Sequence, residues 1–268
     1  MSNCYSIRNI PIIDSHIHLD TRPYENYEKL SLTVNGAITL AHDPMEPISI
    51  DILKGHFKDI ITDTLNKAHK NNLNLFICLG IHPRMIPDNN INSIDIDNLL
   101  INYLNNKFVV GIGEIGLEKA SKKEIEIFEK QLILAKKLNL PAVVHTPRTN
   151  KLEITKIILE TINSLNLNYN NKIIIEHCNK EIIPLIIDHN FNIGLTVQPS
   201  KLTPLDVVDI VKKYENGKFL LNSDSSSSPS DILSVPKTVL KLKINNIENN
   251  VIKKVCYENS KKLFNLNI

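Results

Sequence analysis

Six side chains of the types that bind metal ions fall at or just after the ends of apolar, strand-like runs in this chain. They are His16, His18, Glu114, His145, His177 and Asp224. Imidazole nitrogens and carboxylate oxygens suit zinc, manganese or iron, and the absence of thiolates disfavours a closed structural zinc site. Six ligands are more than one catalytic ion needs, so the set predicts two divalent ions that share one carboxylate.

The most specific unit is the pair of His16 and His18, which follows the apolar run Ile10-Pro-Ile-Ile. Successive side chains of a strand point to opposite faces, so these two imidazoles lie on the same face and can bind one ion. Each of the other residues has a structural explanation when taken alone. Glu114 can pair with a lysine, for example, and Asp224 can cap a helix before Ser225. Their shared placement at strand ends favours a common site.

Eight apolar, β-branched runs alternate with helical patterns at intervals of roughly 30 residues, as strands do when helices cover a parallel sheet. The runs predict strands at 10–16, 36–41, 73–81, 108–115, 140–146, 172–178, 191–197 and 218–224. This order favours an α/β fold, a single (β/α)8 TIM barrel over residues 1–268, against an open doubly wound sheet. All strands of such a barrel end at one rim, so the six residues are expected around one cavity there.

Helical spacing of apolar residues predicts the covering helices. The clearest starts at Ser121-Lys-Lys-Glu, a sequence resembling a capping box, and ends before Asn139 and Pro141. The remaining patterns cover 51–70, 93–105, 151–165, 180–189, 204–215, 230–242 and 246–264.

Composition excludes several classes of protein. A net charge of +2 gives no global basic excess of the kind found in proteins that coat nucleic acid. The sequence has no apolar stretch of membrane-spanning length and no signal peptide features at its start, so a cytoplasmic protein is expected. The four cysteines form no C-x-x-C pair and are expected to be free thiols: Cys4, Cys78, Cys178 and Cys256. Nothing indicates an obligate protein partner.

A glycine motif at 111–116 nominally matches a dinucleotide-binding fingerprint. Gly111, Gly113 and Gly116 have the required spacing, but Glu114 lies inside the motif and a long polar connection precedes the next helix. We therefore interpret these glycines as points of close packing beside a site.

The ordered motifs resemble those of TatD-type metal-dependent hydrolases, a deoxyribonuclease family of the amidohydrolase superfamily. The resemblance spans nearly the whole chain and rests on Asp14-Ser-His-Ile-His-Leu-Asp20, Gly80-Ile-His-Pro83, Gly113-Glu-Ile-Gly-Leu117, Val143-Val-His-Thr146, Ile174-Ile-Glu-His-Cys178 and Ser223-Asp224. It implies that His16, His18 and Asp224 bind one ion, that His145 and His177 bind the other, and that Glu114 bridges them. The ions would be Zn²⁺, Mn²⁺ or Mg²⁺.

The resemblance also implies catalytic and substrate-binding roles. Asp224 would orient the attacking water and accept its proton, with Glu114 as the second catalytic residue, and His82 would contact the substrate phosphate. Arg148, three residues after His145, can offer two hydrogen bonds to phosphate, although the family has its arginine one residue earlier. For His42, at the end of the second predicted strand, a cavity-lining role and a structural role both remain open.

Two departures from the family pattern concern the substrate. The chain has Glu118 where relatives commonly have aspartate, and a serine run follows Asp224. It also has no tryptophan and few aromatic residues for stacking bases.

The leading hypothesis is hydrolysis of phosphodiesters, including DNA, at a dinuclear site. The alternatives are hydrolysis of a C–N or ester bond in a small metabolite, and a metal-binding barrel without catalysis.

Overall fold

A parallel eight-stranded barrel is the framework of the molecule. A computed structural model describes residues 7, 9–42, 49–86 and 93–268. Its strands follow one another in chain order and each pairs with the next in parallel: β1 (Ile13–Ile17), β2 (Gly36–Leu40), β3 (Leu75–Cys78), β4 (Val109–Gly116), β5 (Ala142–His145), β6 (Ile173–Ile175), β7 (Asn192–Thr196) and β8 (Phe219–Asn222). The predicted TIM-barrel fold is confirmed, and most strands are shorter than the apolar runs that predicted them.

Backbone hydrogen bonds join the ends of the first and last strands. The N–H of Asp224 donates to the carbonyl of His16 at 2.8 Å, and the N–H of His18 donates to the carbonyl of Ser225 at 2.9 Å. These bonds complete the barrel at its rim. They also fix three of the six metal-capable residues by main-chain contacts.

Helices cover the outside of the barrel: α1 (Tyr24–Ser31), α2 (Ile50–Asp59), α3 (Leu65–Lys70), α4 (Ser93–Leu104), α5 (Lys122–Leu138), α6 (Lys151–Ser164), α7 (Ile183–Ile186), α8 (Pro204–Lys213), α9 (Ser234–Ile244), α10 (Asn249–Lys253) and α11 (Asn259–Leu263). Single π-helical segments join α2 to α3 and α10 to α11, at Ile60–Thr64 and Lys254–Glu258. Among the described residues, no helix has the length and apolarity that crossing a bilayer requires.

Two helices differ from the sequence-based prediction. The pattern did not predict α1, which buries only Asn26, Tyr27 and Leu30 and so shows little apolar periodicity. The helix predicted at 180–189 is confined to α7. Pro184 is tolerated only in the first turn of a helix, so the helix cannot begin much before it.

The start of α5 forms half of the predicted capping box. The Ser121 hydroxyl accepts a hydrogen bond from the N–H of Glu124. The Glu124 carboxylate instead accepts hydrogen bonds, each 2.9 Å long, from the N–H groups of Glu118, Lys119 and Ala120. Glu124 thereby orders the loop between β4 and α5, which carries Glu118.

Apolar residues fill the barrel and the layer outside it. One cluster joins residues of the strands to the C-terminal Phe264 and Leu266, and a larger one packs the strands against the helices. Cys78, Cys178 and Cys256 are free and buried in this core, whereas Cys4 lies outside the described residues.

Candidate metal centre

The six metal-capable residues surround one cavity at the C-terminal rim of the barrel. Each is at least nine-tenths buried, which is unusual for ionisable side chains unless they are paired or bind metal. Their positions follow from the strand ends: His16 lies within β1 and His18 just after it, Glu114 lies in β4, His145 ends β5, His177 follows β6 and Asp224 follows β8.

Glu114 lies between two pairs of imidazoles. Its Oε1 is 2.8 Å from Nδ1 of His145 and 2.9 Å from Nε2 of His177. Its Oε2 is 3.5 Å from Nε2 of His16 and 3.6 Å from Nε2 of His18. Each carboxylate oxygen therefore faces one pair, as a ligand shared between two ions would.

Asp224 is the third donor near Glu114 Oε2. We call His16, His18 and Asp224 the first-strand half of the centre. Asp224 Oδ1 is 3.0 Å from Nε2 of His18 and 3.6 Å from Nε2 of His16. Two atoms bound to one ion at about 2.1 Å lie about 3.0–3.5 Å apart, so these donors fit one ion. We call His145 and His177 the second half.

The hydrogen bonds of the four imidazoles suit metal ligation. A ligating histidine presents the lone pair of one nitrogen to the ion and donates the N–H of the other to an acceptor. Two of the rings have such an acceptor opposite the nitrogen that faces Glu114: His18 Nδ1 is 3.0 Å from the Leu40 carbonyl, and His145 Nε2 is 2.9 Å from Glu118 Oε2. In the third ring, His177 Nδ1 is 2.9 Å from Thr196 Oγ1, which can accept a hydrogen bond, and 3.0 Å from the Lys201 ammonium, which can only donate one. Ligation by His177 therefore requires its Nδ1–H to pair with Thr196.

The fourth ring, that of His16, has a more distant acceptor. Its Nδ1 lies 3.6 Å from Glu176 Oε1. Gly194 makes room for this buried carboxylate, because a Cβ at that position would lie 2.0 Å from Glu176 Oε2. Together, the four rings and two carboxylates fit a pair of divalent ions.

The hydrogen bonds of His82 indicate a role other than metal ligation. Its Nδ1 accepts a hydrogen bond from the N–H of Arg84 at 3.2 Å, so the neutral ring carries its proton on Nε2. Nε2 lies 4.0 Å from Glu114 Oε2, which aims this N–H toward the centre. Burial and the neighbouring His145 hold the pKa of His82 well below its usual value. His82 is thus a neutral hydrogen-bond donor at the site.

A third cluster lies beside the first-strand half: Asp20, His42 and His56. Nε2 of His42 is 2.9 Å from Asp20 Oδ2, and Nε2 of His56 accepts a hydrogen bond from the N–H of His42 at 3.2 Å. The second bond places the His56 proton on Nδ1, which faces Asp20 and so presents no lone pair to an ion there. Of the two roles left open for His42, the structure places it at the wall of the cavity, with its ring 4.5 Å from that of His18.

Charge interactions keep the two candidate carboxylate ligands ionised. Burial alone would raise the pKa of Glu114, but His16 and His145 hold it well below its usual range. Burial likewise opposes ionisation of Asp224, and the ammonium group of Lys201 is the largest of the charges that lower its pKa. In contrast, burial and Lys201 together lower the pKa of His177, which stays neutral and able to ligate.

Lys201 is a functional candidate that the sequence reasoning missed. Its Nζ forms a short ion pair with Asp224 Oδ2 and lies 3.0 Å from Nδ1 of His177, so it contacts both halves of the centre. Its position after β7 places it at the same rim, but lysine is not a metal-ligating type, and no spacing in the sequence shows that its side chain meets His177 and Asp224.

Glu118 also contacts a candidate metal ligand, which the sequence did not predict. Its carboxylate accepts a hydrogen bond from His145, whereas the sequence suggested only a difference in substrate.

Backbone conformation sets two of the candidate ligands apart. His177 and Asp224 adopt left-handed conformations with φ of 56° and 46°. Residues other than glycine seldom do so, and such strain collects at functional sites.

The cavity above the centre is lined by polar side chains. Its volume is about 250 Å³, and within the described part of the chain every residue that lines it is polar or ionisable. The two predicted substrate-binding residues, His82 and Arg148, both reach it, as do Arg84 and Lys201. Arg148 is exposed and donates a long hydrogen bond of 3.5 Å to Gln198. The arrangement can hold an anionic group against two ions.

Comparisons with known proteins agree with this geometry. Residues 13–265 match the protein family described as TatD related DNase. An uncharacterized metal-dependent hydrolase of Methanocaldococcus jannaschii is 35% identical over 257 residues, which are 95% of this chain and 100% of the relative.

Two solved structures share the fold. A TatD-like protein of Archaeoglobus fulgidus has a TM-score of 0.77 and 27% identity, over 95% of this chain and 100% of that one. A phosphotriesterase homology protein of Escherichia coli, solved with phosphate in its active site, has a TM-score of 0.74 and 14% identity, over 95% of this chain and 99% of that one. At this identity the second likeness shows the barrel alone.

Proposed function

This chain belongs to the TatD-related DNase family of metal-dependent hydrolases, and from that premise we propose that it hydrolyses phosphodiesters at a centre of two divalent ions. The observation that carries the proposal is Glu114, whose two carboxylate oxygens each face one pair of imidazoles. Zn²⁺, Mn²⁺ and Mg²⁺ are the candidate ions.

The residues around the centre support a phosphoryl substrate. Bound there, a pair of divalent ions supplies Lewis-acid polarisation of the phosphoryl group and activation of water. His82 donates its Nε2–H to a phosphoryl oxygen, while Lys201, Arg148 and Arg84 surround the anion with positive charge. Asp224, kept ionised by Lys201, accepts the proton of the attacking water.

The polar lining of the catalytic cavity favours some phosphodiesters over others. Its lining among the described residues includes no phenylalanine or tyrosine, so stacking of successive bases has no platform there. A short phosphodiester, or the end of a DNA strand, fits this cavity better than the interior of a long single strand.

Hydrolysis of bis(p-nitrophenyl) phosphate tests the proposal. Protein freed of metal by chelation and reloaded with Mn²⁺, Mg²⁺ or Zn²⁺ is expected to release p-nitrophenol, and protein kept in chelator is not. Amides, lactones and carboxylic esters form the comparison panel. Turnover of one of these substrates without cleavage of any phosphodiester would overturn the proposal in favour of a different scissile bond.

A further inference from the structure

A second cavity opens beside the catalytic one. Its volume is about 500 Å³, and it adjoins the catalytic cavity at three residues that line both: Arg148, His177 and Lys201. It lies between the start of α6, the loop after β6 and the loop before α8. Its lining includes Leu152, Cys178 and Leu202, whereas every described residue that lines the catalytic cavity is polar or ionisable.

The two cavities differ in volume and in the residue types that line them. The catalytic cavity has about half the volume of its neighbour, and the described residues that line it include no aliphatic side chain. An apolar group joined to a phosphoryl group at the centre would contact leucine side chains by extending into the adjoining cavity. The adjoining cavity is large enough for a nucleoside-sized group and opens on the side where Lys201 and Arg148 stand.

We propose that the second cavity is the subsite for an organic arm of the substrate, held against Leu152 and Leu202, while Lys201 and Arg148 at the junction face the phosphoryl group. This inference rests on the proposed function. It adds that selectivity among phosphoesters is decided at the start of α6 and the loop before α8, away from the metal ligands.

Binding of phosphate compounds that carry one organic arm or none tests the subsite directly. Calorimetry on metal-loaded protein would compare inorganic phosphate, methyl phosphate, phenyl phosphate and thymidine 5′-monophosphate. Affinity is expected to rise along this series, by roughly tenfold once the arm covers about 60 Å² of apolar surface. Equal affinity for all four compounds would overturn the inference.

A bulky side chain that fills the second cavity, which we call a plug, should remove the gain in affinity for the larger compounds. Leu152→Trp, in the first turn of α6, is expected to abolish the preference for the larger compounds and to leave the affinity for inorganic phosphate unchanged. Leu167→Trp is the matched control, because Leu167 is also a half-buried leucine packed on the core and lies in the connection that leads into β6 at the opposite end of the barrel. Persistence of the gain in Leu152→Trp would count against the subsite.

A second variant keeps the inference testable if Leu152→Trp misfolds. Glu181→Trp narrows the cavity from another lining position, which is exposed, and should have the same effect as Leu152→Trp. The binding series also separates the two proposals, since it needs no turnover. A protein that cleaves no phosphodiester but shows the plug-sensitive gain contradicts the proposed reaction alone, and one that cleaves phosphodiesters without the gain contradicts the subsite alone.

Discussion

The two halves of the candidate metal centre are supported in different ways. In the first-strand half, His16 and His18 are two residues apart, Nδ1 of His18 faces a backbone carbonyl, and main-chain hydrogen bonds tie this segment to Asp224 and Ser225. In the second half, His145 and His177 come from separate strands and are supported by the side chains of Glu118 and Thr196, with the Lys201 ammonium beside His177. The first half is therefore part of the closure of the barrel, whereas the second depends on rim residues that a single substitution can change.

Glu114→Gln is expected to have the largest effect, because it removes the one carboxylate that joins the halves. An amide has a single carbonyl oxygen and cannot bridge two ions. The loss of turnover should exceed 100-fold, about the upper limit for residues that only support a ligand, and elemental analysis should find fewer than two equivalents of metal. Retention of two equivalents and of full activity would show that the halves do not depend on a shared ligand.

Glu118→Gln tests the second half by itself. The substitution removes the charge that holds His145 Nε2–H, and such supporting residues typically contribute about 10- to 100-fold to metal affinity. Calorimetric titration should show one ion weakened to this extent and the other unaffected. Glu126→Gln, at an exposed glutamate of α5 that pairs with Lys130, is the control. Equal weakening of both ions would remove the distinction between the halves.

Lys201→Met tests the residue that contacts both halves. Loss of a charge-assisted hydrogen bond worth roughly 1.5–3 kcal/mol should raise KM for an anionic phosphodiester by about tenfold or more and leave a neutral phosphotriester little affected. Lys201→Arg should retain part of the effect. Lys180→Met, at an exposed ion pair with Asp206 and Asp209, is the control.

The pH profile of Lys201→Met gives a second readout. The ammonium group lowers the pKa of Asp224, so its removal should raise that pKa. In metal-free protein, titration of the Asp224 carboxyl followed by NMR should therefore move to higher pH in the variant. An unchanged titration would mean that Lys201 does not act through Asp224.

The sequence predicted the parts of this centre that follow from strand periodicity. All six proposed ligands lie in or just after the C-terminal half of a strand, and the rim rule for parallel barrels brings them together without any detail of packing. The motif around His16 and His18 was the most informative because its geometry is local. The roles of the ligands stay predictions.

The support of the second half could not be predicted in this way. Lys201 meets His177 and Asp224 only because the loops after three different strands converge, and no spacing in the sequence encodes that convergence. The contact between Glu118 and His145 depends on the loop that Glu124 orders through three backbone N–H groups. The helix at α7 was predicted too long for a local reason, the position of Pro184.

Asp14→Asn, expected to have the smallest effect on metal binding, tests whether the first-strand half depends on its backbone alone. Asp14 is fully buried; its Oδ1 accepts a hydrogen bond from the N–H of Ser223 and its Oδ2 has no partner. Burial raises its pKa from 3.8 to about 6, so the folded protein binds more protons than the unfolded chain between these values, and this group lowers the free energy of unfolding as pH rises through that window. Asparagine keeps the carbonyl acceptor and cannot ionise. Relative to wild type, the variant should therefore gain stability from pH 4 to pH 7, by at most roughly 3 kcal/mol, in urea unfolding of metal-free protein. Its metal stoichiometry should not change, because the backbone bonds that place His16 and Asp224 remain; loss of one ion would show instead that the Asp14 charge helps to hold the first-strand half.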